Sequence, residues 1–348
     1  MAVQKIRRVA FVGTGIMGAP IAGHVLDAGF GLTVHNRSRE KADGLVSRGA
    51  TWADSPAAAA AEADVVFTMV GYPDDVEDVY LGAGGILEAA KKGAWLVDLT
   101  TSSPTLAREL HDAAEVVGKH AFDCPVTGGQ SGAEAGTLTL MVGAGEDDAR
   151  ILLPVLESFS SKVYYFGAAG RGQAAKLCNQ VSLASCMMGY ADALALAEQS
   201  GLDLDQVVDM MCDGMGGSAA MERLARKSVA GDFRPGFLAE HLRKDLGLAL
   251  MRADDLDLTL PGAETAFNLY DTLCTVGGSR LGTQAISLLY ADEQTGSAAG
   301  LDWSRLDASE WEDEPGCAHD HCDHDHRGDG HGHCEHDHCG CGHHHGEA

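Results

Sequence analysis

Val9-Ala10-Phe11-Val12-Gly13-Thr14-Gly15-Ile16-Met17-Gly18 is a short apolar run that empties into three glycines spaced Gly-x-Gly-x-x-Gly. The run reads as a buried strand, and the residues after Gly18 read as a helix ending near Gly29. Glycines at these positions permit a tight turn and let backbone N–H groups approach a pyrophosphate at the helix N-terminus. Gly13, Thr14, Gly15, Ile16, Met17 and Gly18 are therefore candidate contacts for a dinucleotide. Short apolar strands alternate with helices as far as about residue 168. The residues from there to about Tyr290 read almost entirely as helix. The expected architecture is α/β: a Rossmann-type dinucleotide-binding domain over residues 1–168, then an all-helical domain over 169–295 that opens with a long interdomain helix. A disordered His/Cys-rich tail of the metal-binding type is expected over 302–348.

The second strand, Leu32-Thr33-Val34-His35, is followed by Asn36-Arg37-Ser38. Chains that bind NAD usually carry an acidic residue here, on the ribose hydroxyls. An arginine suits a 2′-phosphate instead, so NADP(H) is the expected cofactor. Arg37 stacked on adenine, with NAD accepted as well, is the alternative. In an open α/β sheet, ligands sit beyond the carboxyl ends of the strands. Val70 and Gly71 end the strand Val65–Val70, and Thr101 follows the strand Trp95–Leu99, so all three are placed beside the cofactor. Thr127-Gly128-Gly129 lies in a glycine-rich loop whose backbone N–H groups suit a substrate carboxylate. Thr137–Val142 and Lys162–Phe166 are expected to complete the same sheet.

Gly170-Arg171-Gly172-Gln173-Ala174-Ala175-Lys176-Leu177-Cys178-Asn179-Gln180 opens the long helix. Lys176, Asn179 and Gln180 are three and four apart and share a face. Lysine partly buried between two domains would have its pKa drawn down toward the working range of a general acid or base. Met187, Met188, Met210, Met211 and Met215 read as core filler or subunit interface.

The formal net charge of −26 argues against a nucleic-acid partner, which requires basic patches. No apolar run reaches the roughly 18 to 20 residues that span a bilayer. No signal-peptide pattern precedes the first strand, so a cytoplasmic location is expected. Of ten cysteines, five are scattered through the folded part and read as reduced and mostly buried. The other five crowd among histidines at the end of the chain. His319, His321, Cys322, His324, His326, His331, His333, Cys334, His336, His338, Cys339 and Cys341 recur in short His-Asp-His-Cys-like units. Imidazole and thiolate suit Zn²⁺ or Ni²⁺, at several exchangeable sites rather than one closed finger.

The ordered motifs, taken together, resemble the β-hydroxyacid dehydrogenase family, which includes 3-hydroxyisobutyrate dehydrogenases and tartronate semialdehyde (2-hydroxy-3-oxopropionate) reductases. The similarity runs from about Val9 to Tyr290. It rests on Gly13–Pro20, Asp98–Pro104, Asp123–Gly129, Gly170–Asn179 and Lys244-Asp245. The resemblance implies hydride transfer between a nicotinamide cofactor and a small hydroxy acid or its semialdehyde or keto acid. It assigns general acid–base work to Lys176, with Asn179 and Gln180 beside it, and implies that Lys244, in the helical half, closes over the cofactor. Two positions depart from the family pattern: Thr127 stands for the usual serine, and Gln180 for the usual asparagine. A homodimer or homotetramer is expected. The competing reading is a metal storage or delivery protein built on a retained dehydrogenase scaffold.

Overall fold

The structure is a computed structural model, and it describes residues 5–309. The metal ligands expected between His319 and Cys341 lie outside the described residues. Strands β1 (Arg8–Val12), β2 (Gly31–His35), β3 (Thr51–Trp52), β4 (Val65–Thr68), β5 (Trp95–Asp98) and β6 (His120–Asp123) form one parallel sheet, ordered β3-β2-β1-β4-β5-β6. The chain order reverses between β1 and β4, which is the switch point where α/β sheets hold ligands. Phe11 and Phe67 fill one face, while Ala10, Val12 and Val66 fill the other. Alternating side chains thus bury apolar groups on both sides, as a parallel sheet covered by helices requires.

The last strands do not complete that sheet. β7 (Val126–Thr127), β8 (Leu138–Val142) and β9 (Ser160–Tyr165) make a second sheet, in which β8 pairs antiparallel with β7 and parallel with β9. Pro125 explains the correction, because it cannot donate to a ladder that would prolong β6. The two sheets stay joined by Gly143 N–H to the Asp123 carbonyl at 2.8 Å and Met141 N–H to the Pro125 carbonyl at 3.0 Å. The Phe67 ring also meets Phe159 edge-on, with centroids 5.8 Å apart.

A helix of 29 residues, Arg171–Gln199, carries the chain out of the sheets and into the helical half. At 1.5 Å per residue it is about 43 Å long. Its later turns bury Met187, Tyr190 and Leu194 against Leu242, Leu246, Tyr270 and Leu273. Those partners come from the helices Ala239–Asp254 and Pro261–Thr275. Met187 is core, whereas Met210 and Met215 are exposed. Among the five cysteines described, only Cys124 is fully buried, and Cys178 is exposed; the expectation of mostly buried thiols is corrected accordingly. No helix among the described residues is long and apolar enough to cross a membrane.

Candidate active site

The glycine loop has the form its spacing implies. Gly13 has φ +99°, and a Cβ there would meet the Met69 carbonyl oxygen at 2.2 Å, so only glycine fits. Asn36 accepts the Thr14 N–H at 3.0 Å and donates to the Ser38 carbonyl at 2.9 Å, tying the loop to the end of β2. A Cβ on Gly15 would meet nothing within 4 Å. The Thr14 hydroxyl is buried without a partner among the described residues. Ile16 is exposed and Met17 half-buried at the start of the helix Gly18–Asp27, whose first N–H groups have no partner inside the helix. Open space over a glycine, an orphaned hydroxyl and a helix N-terminus together fit a dinucleotide pyrophosphate.

Arg37 is not free of carboxylates, as the stretch around it suggests. Its guanidinium donates to Asp75 at 3.2 Å. Asp75 is 38 residues further on, in the first turn of the helix Pro73–Leu81, so the local sequence gives no sign of it.

At the strand ends, Val70 N–H donates to the Thr100 hydroxyl at 3.0 Å. Asp98 accepts from the Thr68 hydroxyl at 2.8 Å and from Thr100 N–H at 3.1 Å. Thr101 contributes its carbonyl, which accepts from Lys244 Nζ at 2.7 Å; Gly71 does the same at 3.2 Å. Burial raises the Asp98 pKa from 3.8 to about 6, against hydrogen bonds from Thr100 and Thr68 that lower it. A carboxyl whose folded pKa is raised is best tolerated below its unfolded pKa, and its cost grows as pH rises through the folded value. A shift of this size is worth about 3 kcal/mol. Asp98→Asn should therefore gain stability relative to the parent by up to about 3 kcal/mol between pH 4 and 7. Urea unfolding at the two pH values measures this, and a difference independent of pH would refute it.

Asp123 pairs beside Asp98 in the register of β6 on β5. It holds the start of the long helix, accepting from Gly170 N–H at 2.7 Å and Gln173 N–H at 2.6 Å. The Gln173 side chain, fully buried, donates to the Thr100 carbonyl at 2.7 Å and accepts from Ser102 N–H at 2.9 Å. These contacts fix the first turn and aim the next one.

That next turn carries Lys176, which is 7 % exposed. Lys176 Nζ donates to Gln180 Oε1 at 2.9 Å, one helical turn on, and Asn179 Nδ2 donates to the same oxygen at 2.8 Å. Gln180 Nε2 donates in turn to Asp245 at 2.7 Å. The other Asp245 oxygen lies 3.1 Å from Lys244 Nζ, an ionic contact without hydrogen-bond geometry. Burial lowers the Lys176 pKa from 10.5 to about 8; Asp245 works against that shift and Lys244 adds to it. The helix thus presents a buried amine that can hold or release a proton near neutral pH. A cavity of about 320 Å³ opens beside Lys244, walled by Tyr72, the residue that caps the helix Pro73–Leu81, and by Arg243 and Phe267 from the helical half.

Lys176, Asn179, Gln180 and Lys244 are thereby drawn into one network with Gly71 and Thr101. Thr127 ends β7 opposite Thr139, Gly128 follows with φ +133°, and Gly129 opens the helix Gly129–Ala135. No hydrogen bond among the described residues joins that loop to Lys176. The sequence reading passed over Asp98, Thr100, Asp123, Gln173 and Asp245 as site residues. Acidic residues at the ends of two neighbouring strands were the available signal for the first and third. No group of His, Cys, Asp and Glu among the described residues could hold a metal ion.

A glycine loop at the switch point of a parallel sheet, together with a buried lysine of lowered pKa on the helix that follows the sheets, fits a nicotinamide-dependent oxidoreductase. Residues 8–167 match the NAD binding domain of 6-phosphogluconate dehydrogenase. Residues 170–290 match the NAD-binding domain of NADP-dependent 3-hydroxyisobutyrate dehydrogenase. The chain is 41 % identical over 284 residues to YkwC, an uncharacterised oxidoreductase of Bacillus subtilis, covering 82 % of this chain and 99 % of that one. The solved structure of a 3-hydroxyisobutyrate dehydrogenase from Mycobacterium tuberculosis with L-serine superimposes with a TM-score of 0.75 at 34 % identity, over 82 % of this chain and 100 % of that one. Psf3, solved with NADP⁺ and 2-OPP, gives a TM-score of 0.76 at 31 % identity, over 81 % and 100 % of the two chains. The chain belongs to the β-hydroxyacid dehydrogenase family, as an NAD(P)-dependent, 3-hydroxyisobutyrate dehydrogenase-like oxidoreductase.

Proposed function

We propose that the protein interconverts a small 2- or 3-hydroxy acid and its keto acid or semialdehyde, with NADP(H) as the favoured cofactor and Lys176 as general acid–base. The observation that carries this reading is the buried Lys176 with its pKa drawn to about 8, held by Gln180 at the base of the interdomain helix. When bound, the nicotinamide cofactor supplies or accepts the hydride. Lys176 Nζ gives a proton to the substrate oxygen in reduction and takes it back in oxidation. Asn179 and Gln180 orient the amine. Backbone N–H groups of the Thr127-Gly128-Gly129 loop hold the substrate carboxylate. Gly13 through Gly18, Val70, Gly71 and Thr101 line the cofactor, Lys244 closes over it, and Asn36, Arg37 and Ser38 meet its adenosine ribose. L-serine, the ligand of the mycobacterial relative, is itself a 3-hydroxy acid, which supports the substrate class.

A second reading concerns the tail. Repeated His-Asp-His-Cys-like units from His319 to Cys341 support binding of Zn²⁺ or Ni²⁺, as an appended property or as the main task of the chain. One experiment addresses both readings. Metal-stripped full chain, and a chain ended after Ser309, which keeps Trp303 and Leu306 packed on the helical core, are given NADPH or NADH with succinic, tartronate and methylmalonate semialdehydes and glyoxylate. Turnover of one of these acids by both proteins is expected. Cofactor binding without turnover of any of them would overturn the hydroxy-acid assignment and move metal handling to the front.

A further inference from the structure

We infer that Asp75, through its hold on Arg37, limits how far the protein prefers NADP to NAD. The inference rests on the proposed placement of the adenosine ribose at Arg37. It takes its start from an unexpected partner: the exposed Arg37 guanidinium is held by Asp75 at 3.2 Å. The Asp75 carboxylate is itself fixed. Its second oxygen accepts Tyr72 N–H at 3.1 Å, and a Cβ on Gly71 would come within 3.1 Å of that oxygen. It is only about a quarter exposed, and it sits on an acidic helix turn with Asp74 beside it. The neighbouring cation Arg39 lies over the Trp52 ring.

This arrangement opposes what Arg37 alone would do. A 2′-phosphate that pairs with Arg37 must share the guanidinium with a carboxylate already tied to Tyr72 N–H, and two anions then face each other across it. A ribose 2′-hydroxyl meets no such conflict, because it can donate to Asp75 while Arg37 keeps its partner. Arg37 therefore draws NADP in, and Asp75 limits the gain, leaving room for NAD.

The test is the dissociation constant of each dinucleotide for the full chain, by isothermal titration calorimetry without substrate. Asp75→Asn keeps an oxygen for Tyr72 N–H and removes the charge; Asp75→Ser removes the carboxylate differently and guards against an effect of the helix start alone. In both variants the ratio of Kd for NADPH to Kd for NADH should fall about three- to tenfold. An unchanged ratio in both, or equal shifts for the two cofactors, would overturn the inference. Failure of the parent chain to bind either dinucleotide would overturn the reading beneath it as well. Binding without turnover of any hydroxy acid would remove the substrate assignment and leave the role of Asp75 standing.

Discussion

Lys176→Ala should lower kcat by about 10²- to 10⁴-fold, the usual worth of a positioned proton donor. The cofactor should still bind, because the glycine loop and the β2 end make no hydrogen bond with Lys176. The pH profile of the parent enzyme carries the sharper signature. Reduction requires the ammonium form of Lys176, so its rate should fall as pH rises through about 8. Oxidation requires the free amine, so its rate should rise through the same value. Rates measured in both directions, with the alanine variant lacking the limb near 8, would establish the role. An alanine variant within threefold of the parent would remove Lys176 from the chemistry.

Asp123→Ala should be the most damaging single change outside the lysine. It leaves Gly170 N–H and Gln173 N–H without acceptors where the long helix begins. Losing a buried, charged acceptor of two hydrogen bonds costs about 3–5 kcal/mol. Asp123→Asn should cost less, since one oxygen remains. The two are compared by thermal unfolding and by kcat. Because the same turn aims Lys176, the alanine variant should lose activity even at temperatures where it stays folded. Full activity in a stably folded alanine variant would show that Lys176 is aimed by other contacts.

Much of this was legible in the sequence, for identifiable reasons. The strands β1, β4 and β5 are continuous apolar runs, and the glycine spacing has one mechanical purpose, so both could be read locally. Lys176, Asn179 and Gln180 were legible because helical periodicity alone puts them on one face. What stayed hidden depends on residues far apart in the chain. Asp75 meets Arg37 across 38 positions, and Gln173 meets Ser102 across 71. The split into two sheets turned on a single missing N–H at Pro125, which the apolar pattern of the strands on either side does not reveal.

Gln173 deserves a last look for what it does to motion. Its amide takes one hydrogen bond from the loop after β5 and returns another, as a neighbouring strand would. With Asp123 gripping the same helical turn, the start of the helix is tied to the sheet by four buried hydrogen bonds, and sliding of the helix along the sheet would have to break all of them at once. The clasp of Lys244 on Gly71 and Thr101 is a separate tie, made by one part-buried side chain to two carbonyls. Lys176, three residues beyond Gln173, therefore stands on the most firmly anchored turn of the helix.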